Sequence, residues 1–233
     1  KIKDRQEQQV KDFLIDNGFY EVINFPFIAN KSINSVRVDN PLDSNKQFLR
    51  TNLRDSLVKN LTYNERRQQD SIKLFEISNL YRFENNAYSS EKVIGLIASG
   101  RLAKNYENFS KNISIEYLNG ILKKYISQNK LNLTKINRED LNSQLKSPII
   151  YAEFRLKDFS KDILEYKKMH STPKDFPQYH GVSEYPLSIR DLSFAIKDYS
   201  KLSILEDTIL NFSNPILKNV YIFDYYINEK INE

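Results

Sequence analysis

Ile72-Lys73-Leu74-Phe75-Glu76-Ile77 and, further along, Val93-Ile94-Gly95-Leu96-Ile97-Ala98 decide the fold. Both are short apolar runs rich in β-formers, and Leu80–Phe83 between them predicts a further strand, so this part of the chain is expected to form a sheet. Towards the N-terminus, Lys3–Asn17 has helical spacing, with Val10, Phe13 and Leu14 on one face and Gly18 as the stop. Phe19–Phe27 reads as a strand. Thr51 is placed to cap a helix carrying Leu53, Leu57, Val58 and Leu61. Beyond the sheet-forming runs, Ser114–Gln128 predicts a second helix with Ile115, Leu118, Leu122, Tyr125 and Ile126 on one stripe. Strands are expected at Leu133–Ile136 and Ile150–Leu156. Composition and pattern give an α+β fold.

The chain has 233 residues, 40% hydrophobic and 28% charged, the balance of a globular protein. No apolar run approaches the ~18 residues of a membrane span, and none has the form of a signal peptide. Zero cysteines exclude disulfides, thiolate catalysis and cysteine-based zinc or iron–sulfur sites. Five glycines leave little room for Gly-rich phosphate cradles, and a net charge of +5 allows a nucleic-acid partner without arguing for one. A soluble, cytoplasmic chain with no membrane association is expected. It opens on Lys1 inside a helical run and closes just after a predicted strand, as an internal piece of a longer polypeptide would.

The segment Lys167–Gly181 contains Pro173, Pro177 and a glycine without periodicity, and is the best domain boundary. We therefore expect a first domain over residues 1–168, a linker over 169–181 and a second domain over 182–233. In the second, Leu192–Ile196 predicts a strand, Leu202–Phe212 a helix with Leu205, Ile209 and Phe212 facing in, and Lys218–Tyr226 a strand. That order is a partial ferredoxin-like β-α-β unit. Residues 182–233 carry five Lys/Arg against eight Asp/Glu, whereas residues 1–181 carry thirty against twenty-two. Charge alone would therefore direct nucleic acid to the first domain and linker.

Candidate chemistry is sparse. Gly95-Leu-Ile-Ala-Ser-Gly100-Arg101-Leu102 has the glycine spacing of a phosphate loop but lacks its Lys and Ser/Thr, and reads better as a buried strand ending in a turn. His170 and His180 are the only histidines, too far apart for a metal pair. Glu206-Asp207 are adjacent on a helix and do not converge; they read as a solvated helix start. Arg66-Arg67 and Lys123-Lys124 read as solvated helix faces. No catalytic, cofactor-binding or metal-binding residue is singled out.

Three ordered stretches go further. Asn40-Pro41-Leu42-Asp43-Ser44 with Phe48-Leu49-Arg50-Thr51-Asn52-Leu53, then Leu74-Phe75-Glu76-Ile77-Ser78, then Tyr185-Pro186…Arg190-Asp191-Leu192-Ser193-Phe194 with Phe223-Asp224-Tyr225-Tyr226, resemble the bacterial phenylalanyl-tRNA synthetase beta chain. The opening Arg5–Gly18 helix and Tyr20–Phe27 fit the same pattern. The resemblance implies a non-catalytic class II synthetase-like domain, an antiparallel sheet flanked by helices, followed by a truncated ferredoxin-fold anticodon-binding domain. It further implies a catalytic alpha chain as partner in an (αβ)₂ assembly, with tRNA(Phe) as the nucleic acid. ATP and magnesium would belong to the holoenzyme and neither would be bound by this chain. Tyr185, Arg190 and Tyr225 become the tRNA-binding candidates. Between Asn129 and Tyr151 the family usually carries a longer segment with a His-Pro-Gly turn; here Lys130–Ile150 has neither histidine nor glycine, so the domain is abbreviated or divergent there.

The residues themselves keep alternatives open. Arg190-Asp191 fits an ion pair or turn lock as well as an RNA contact, and Arg50 has the same two readings. Phe194, Tyr225 and Tyr226 could stack on bases or fill a core. The rivals at the level of function are a free-standing synthetase-like paralogue acting as a ligand- or partner-binding module, and an enzyme whose site is assembled through space.

Overall fold

The computed structural model describes residues 2–103, 108, 110–127, 129–141, 145–159, 178–179, 181 and 183–224. The chain divides into two compact units, Lys1–Leu164 with Phe223–Glu233, and Glu165–Ile222.

In the first unit, helix α1 (Ile2–Asp16) buries Val10, Phe13 and Leu14, the i, i+3, i+4 stripe expected from sequence. The chain reverses and enters β1 (Tyr20–Glu21), which lies parallel to β4 (Ser71–Glu84) at one edge of the main sheet. β4 turns through Asn85-Asn86 into β5 (Ala87–Gly100), and the two pair along their whole length from Ser71↔Gly100 to Glu84↔Ala87. Both turn asparagines have positive φ, 50° and 60°, the geometry a two-residue hairpin turn needs and asparagine tolerates. β7 (Ile149–Arg155) pairs with β5, and β6 (Leu133–Ile136) closes the far edge, giving the order β1-β4-β5-β7-β6. A separate ribbon joins β2 (Phe27–Ile28) to β3 (Phe48–Leu49).

Side-chain alternation sorts this sheet into two faces. Phe75, Ile94, Leu96, Ala98, Ile150, Ala152 and Phe154 meet α1 and α3 (Ile115–Leu122) in one core. Ile72, Leu74, Val93, Ile97, Ile149 and Tyr151 meet Leu53, Leu57 and Leu61 of the α2 (Arg54–Glu65) region in the other. The sheet flanked by helices is thus as expected, with four strands antiparallel and the edge strand β1 parallel.

Several elements differ in extent from the sequence expectation. Leu80–Phe83 is the continuation of β4, because β5 supplies ladder partners over its full length. Phe19–Phe27 is interrupted after Glu21, where pairing to β4 gives way to side-chain anchoring. Thr51 does not cap α2: its hydroxyl bonds that of Ser32 at 2.8 Å, and the helix begins later, at Arg54. Helix α3 is capped by Ser114, whose hydroxyl accepts from the Tyr117 amide, but ends at Leu122. Ile126 then forms a bridge with Phe159.

In the second unit the expected helix is present as α4 (Leu202–Leu210). Leu205 and Ile209 are half-buried, while Phe212 is exposed. The helix starts early enough to leave Glu206-Asp207 inside it rather than at its start. Leu192–Ile196 and the described part of the second predicted strand, 218–224, form no ladder among the described residues. A strand is defined by its hydrogen-bonded neighbour, and Leu192 and Phe194 remain largely exposed.

Candidate functional site

The centre of the α2-facing side of the sheet is a row of three residues in register: Glu76 on β4, Gly95 on β5 and Glu153 on β7. Gly95 permits the close approach of α2. A Cβ there would lie 2.9 Å from both Leu53 Cβ and Leu57 Cδ1, so a side chain would force these leucines to shift. Gly100, by contrast, is required by its turn: its φ is +94°, and a Cβ would fall 1.9 Å from the Asp70 carbonyl oxygen. The phosphate-loop-like glycines are therefore a strand interior and its end, as the sequence reading preferred.

Each carboxylate of the row has partners. Glu153 accepts the Leu53 amide at 2.8 Å and the Tyr151 hydroxyl at 2.6 Å. It thereby caps α2 from a neighbouring strand, the role Thr51 does not play. Burial, and then the adjacent Glu153 carboxylate, push the Tyr151 phenol well above its ordinary pKa, so it stays protonated as the donor. Glu76 forms a buried, two-pronged ion pair with Arg50; one prong is Arg50 Nη1 to Glu76 Oε2 at 3.1 Å. Arg50 Nη1 also reaches Ser56 Oγ at 3.0 Å, tying the pair to α2. At the far end of that helix, Arg138 donates to both oxygens of Glu65, at 3.2 and 2.8 Å, and to Ser99 Oγ at 2.8 Å.

Two of the sequence stretches that carried the family resemblance therefore meet in space. Arg50 of the Phe48–Leu53 stretch pairs with Glu76 of the Leu74–Ser78 stretch. Of its two readings, the structural one holds: Arg50 is 3% exposed and locks the chain. Sequence reasoning quoted both residues without joining them. A charged residue between apolar neighbours in a predicted buried strand, as in Leu-Phe-Glu-Ile, was the available signal that a buried partner existed.

Outside this network, the chain from Tyr20 to Leu42 presents an unusual surface. Val22 and Asn24 are half-buried, whereas Ile23 and Phe25 are 91% and 81% exposed. Tyr20, Ile33 and Leu42 are also largely exposed. Of these, Tyr20, Ile23 and Phe25 lie in and just after the edge strand β1 and are the candidates for an interaction surface. A depression on the β4–β5 hairpin is lined by Leu80, Arg82, Ser89, Ser90, Glu91 and Val93.

The predicted tRNA-binding residues fall in the second unit or outside the described residues. Tyr185 is exposed, with its amide donating to Ser183 Oγ at 3.2 Å. Arg190 is exposed and donates Nη1 to the Ile189 carbonyl at 2.8 Å, a local contact rather than the pairing with Asp191 that its sequence allows. Tyr225, Tyr226, His170 and His180 lie outside the described residues. Arg67 folds back over the Tyr63 ring at 3.4 Å at the end of α2. Among the described residues no group of three His, Cys, Asp or Glu could hold a metal ion, and no helix is long and apolar enough to cross a membrane.

A family model described as the phenylalanyl tRNA synthetase beta chain CLM domain matches residues 2–157. The chain belongs to this family. Among curated proteins it is similar to the phenylalanine–tRNA ligase beta subunit of Dechloromonas aromatica, 22% identical over 98% of this chain and 33% of that protein. The corresponding subunits of Francisella tularensis (24% identical, 91% of this chain, 30% of that protein) and Fusobacterium nucleatum (26%, 96% and 32%) are also similar. The chain thus spans about a third of the length of these relatives. Among solved structures, pyrrolysyl-tRNA synthetase from Desulfitobacterium hafniense aligns with a TM-score of 0.44 at 16% identity, over 66% of this chain and 67% of that one. The beta-chain match covers both stretches that meet in the Arg50–Glu76 pair.

Proposed function

We propose that this chain forms part of the beta subunit of a phenylalanine–tRNA ligase. Its first unit scaffolds the catalytic alpha subunit in an (αβ)₂ assembly, and its second helps position tRNA(Phe) for ATP-dependent aminoacylation in the cytoplasm. The observation that carries this reading is the family match over residues 2–157. The geometry supports a scaffolding role. The sheet face that could cradle a small molecule is filled by α2, seated on Gly95, and both central carboxylates are engaged in holding that helix and the segment before it. The exposed Tyr20–Phe25 edge offers the partner an apolar surface.

On this reading the ATP, magnesium and phenylalanine chemistry takes place on the alpha subunit. Tyr185, Arg190 and Tyr225 are the residues we assign to tRNA contact. Reconstitution tests the division of labour. The catalytic alpha subunit should charge tRNA(Phe) only with the beta chain present, and the beta chain alone should show no ATP–pyrophosphate exchange. Exchange by the isolated beta chain would contradict it. Replacing Tyr185 and Arg190 with alanine should weaken tRNA binding without weakening alpha-subunit binding; unchanged tRNA affinity would remove these residues from the interface.

A further inference from the structure

We infer that Glu76 is a positioning residue that presents Ile23 and Phe25 to the alpha subunit, an inference that rests on the function proposed above. The segment between β1 and β2 inverts the usual pattern of polarity. Its polar residue, Asn24, points inward, and the apolar residues on either side point out, at 91% and 81% exposure.

Glu76 enforces this inversion. Asn24 donates its amide to Glu76 Oε1 at 3.3 Å and its side-chain Nδ2 to Oε2 at 2.8 Å. Main-chain bonds complete the anchorage: Val22 donates to the Phe75 carbonyl and Arg50 to the Pro26 carbonyl, each at 2.8 Å. With Asn24 held inward, the alternation of an extended chain forces Ile23 and Phe25 outward. Arg50 neutralises the carboxylate that does the holding, and it too contacts the segment, through Pro26.

The pair is built for placement more than for stability. Replacing a buried ion pair with well-packed apolar residues is often neutral or stabilising. Here Arg50 Nε, also buried, has no hydrogen-bond partner, which costs stability further. What the pair gives in return is a fixed path for residues 22–26. The occupant of the surface is the alpha subunit, because the relatives are subunits by name and because Ile23 and Phe25 form a paired apolar anchor beside the sheet edge.

The test uses the full-length beta chain and the alpha subunit, with amide hydrogen exchange over residues 22–26, thermal unfolding and titration calorimetry as readouts. Three variants are compared: Arg50→Met with Glu76→Leu, Asn24→Ala, and Ile23→Ser with Phe25→Ser. Asn24→Ala leaves the buried pair intact and so keeps the test decisive if the double variant fails to fold. We expect the first two to speed exchange at residues 22–26 and weaken alpha association at least tenfold, with cooperative unfolding retained in Asn24→Ala. The surface variant should weaken association similarly with exchange unchanged. Wild-type association by a folded double variant or by Asn24→Ala, while the surface variant is weakened, would overturn the positioning role alone. Wild-type association by the surface variant would overturn the assignment of the surface. Absence of any complex with the wild-type chain would instead overturn the proposed function.

Discussion

The two faces of the central sheet solve the same burial problem in different ways. The buried side chains toward α1 and α3 are apolar, with half-buried Lys73 donating to the Tyr117 hydroxyl at 2.8 Å, and the aromatic rings pack on one another: Phe13 lies 4.2 Å from Tyr125 and 5.7 Å from Phe159, centroid to centroid. The face toward α2 combines leucines with a buried Arg50–Glu76 pair, the Tyr151–Glu153 bond and the Arg138–Glu65 pair. Apolar contact is non-directional and stabilises whatever arrangement excludes water. Hydrogen-bonded charges are directional, and each fixes a particular segment: Glu153 the start of α2, Arg138 its end, Glu76 the chain from Val22 to Pro26. One face supplies stability and the other supplies placement.

Mutations should separate these roles. The largest effect is expected from Leu53→Asp, Leu57→Asp and Leu61→Asp together, which would bury three charges where each leucine is fully enclosed. That chain should show no cooperative melt by circular dichroism, and a retained transition would break the assignment of this core. Next, Phe159→Ala on the apolar face should cost ~3–5 kcal/mol in denaturant titration. On the polar face, Glu76→Leu alone should cost about as much by stranding the Arg50 charge, while adding Arg50→Met should recover most of it. If the double variant is as unstable as the single, the polar face is a stability device after all and the comparison fails.

Gly95→Ala should be milder, ~1–3 kcal/mol, because the added methyl must displace Leu53 and Leu57. It sharpens the comparison if it also disturbs the Leu53–Glu153 cap, seen as faster exchange of the Leu53 amide. The smallest effect concerns pH. A hydrogen bond from Lys130, at 2.8 Å, and then Arg155 hold the Asp158 carboxyl below its ordinary pKa. The stability it contributes is fully present above the ordinary aspartate value and is lost as pH falls through the lowered one. Asp158→Asn should therefore flatten the acid end of the stability curve by less than about 1 kcal/mol, and by less still in high salt. An unchanged acid limb would remove Asp158 from the account.

Much of the first unit was legible in the sequence because its apolar residues repeat at the periods of helix and strand. The α1 stripe at Val10, Phe13 and Leu14 and the cores of β4 and β5 were read directly, as were β6 and most of β7. What was not legible depends on contacts remote in sequence. Helix α2 begins where Glu153, on a distant strand, caps it, so the nearby Thr51 misled. β1 is short because the chain after Val22 leaves the main chain of β4, with Asn24 bonding the Glu76 side chain instead. Arg50 and Glu76 were both in view, yet no periodicity links residues on different elements. In the second unit the α4 pattern was sufficient for a helix, whereas the flanking apolar segments have the composition of strands without a ladder among the described residues. Strand formation depends on a neighbour, which composition does not specify.

The scaffolding of a catalytic partner that we propose for this chain is tested most directly by the mass of the mixture. Light scattering on a gel-filtration column, with the full-length beta chain and the alpha subunit of the same organism, should give one peak at the mass of two alpha and two beta chains. The Ile23→Ser, Phe25→Ser chain should elute apart from the alpha subunit. Two folded proteins eluting separately in the wild-type mixture would contradict the account.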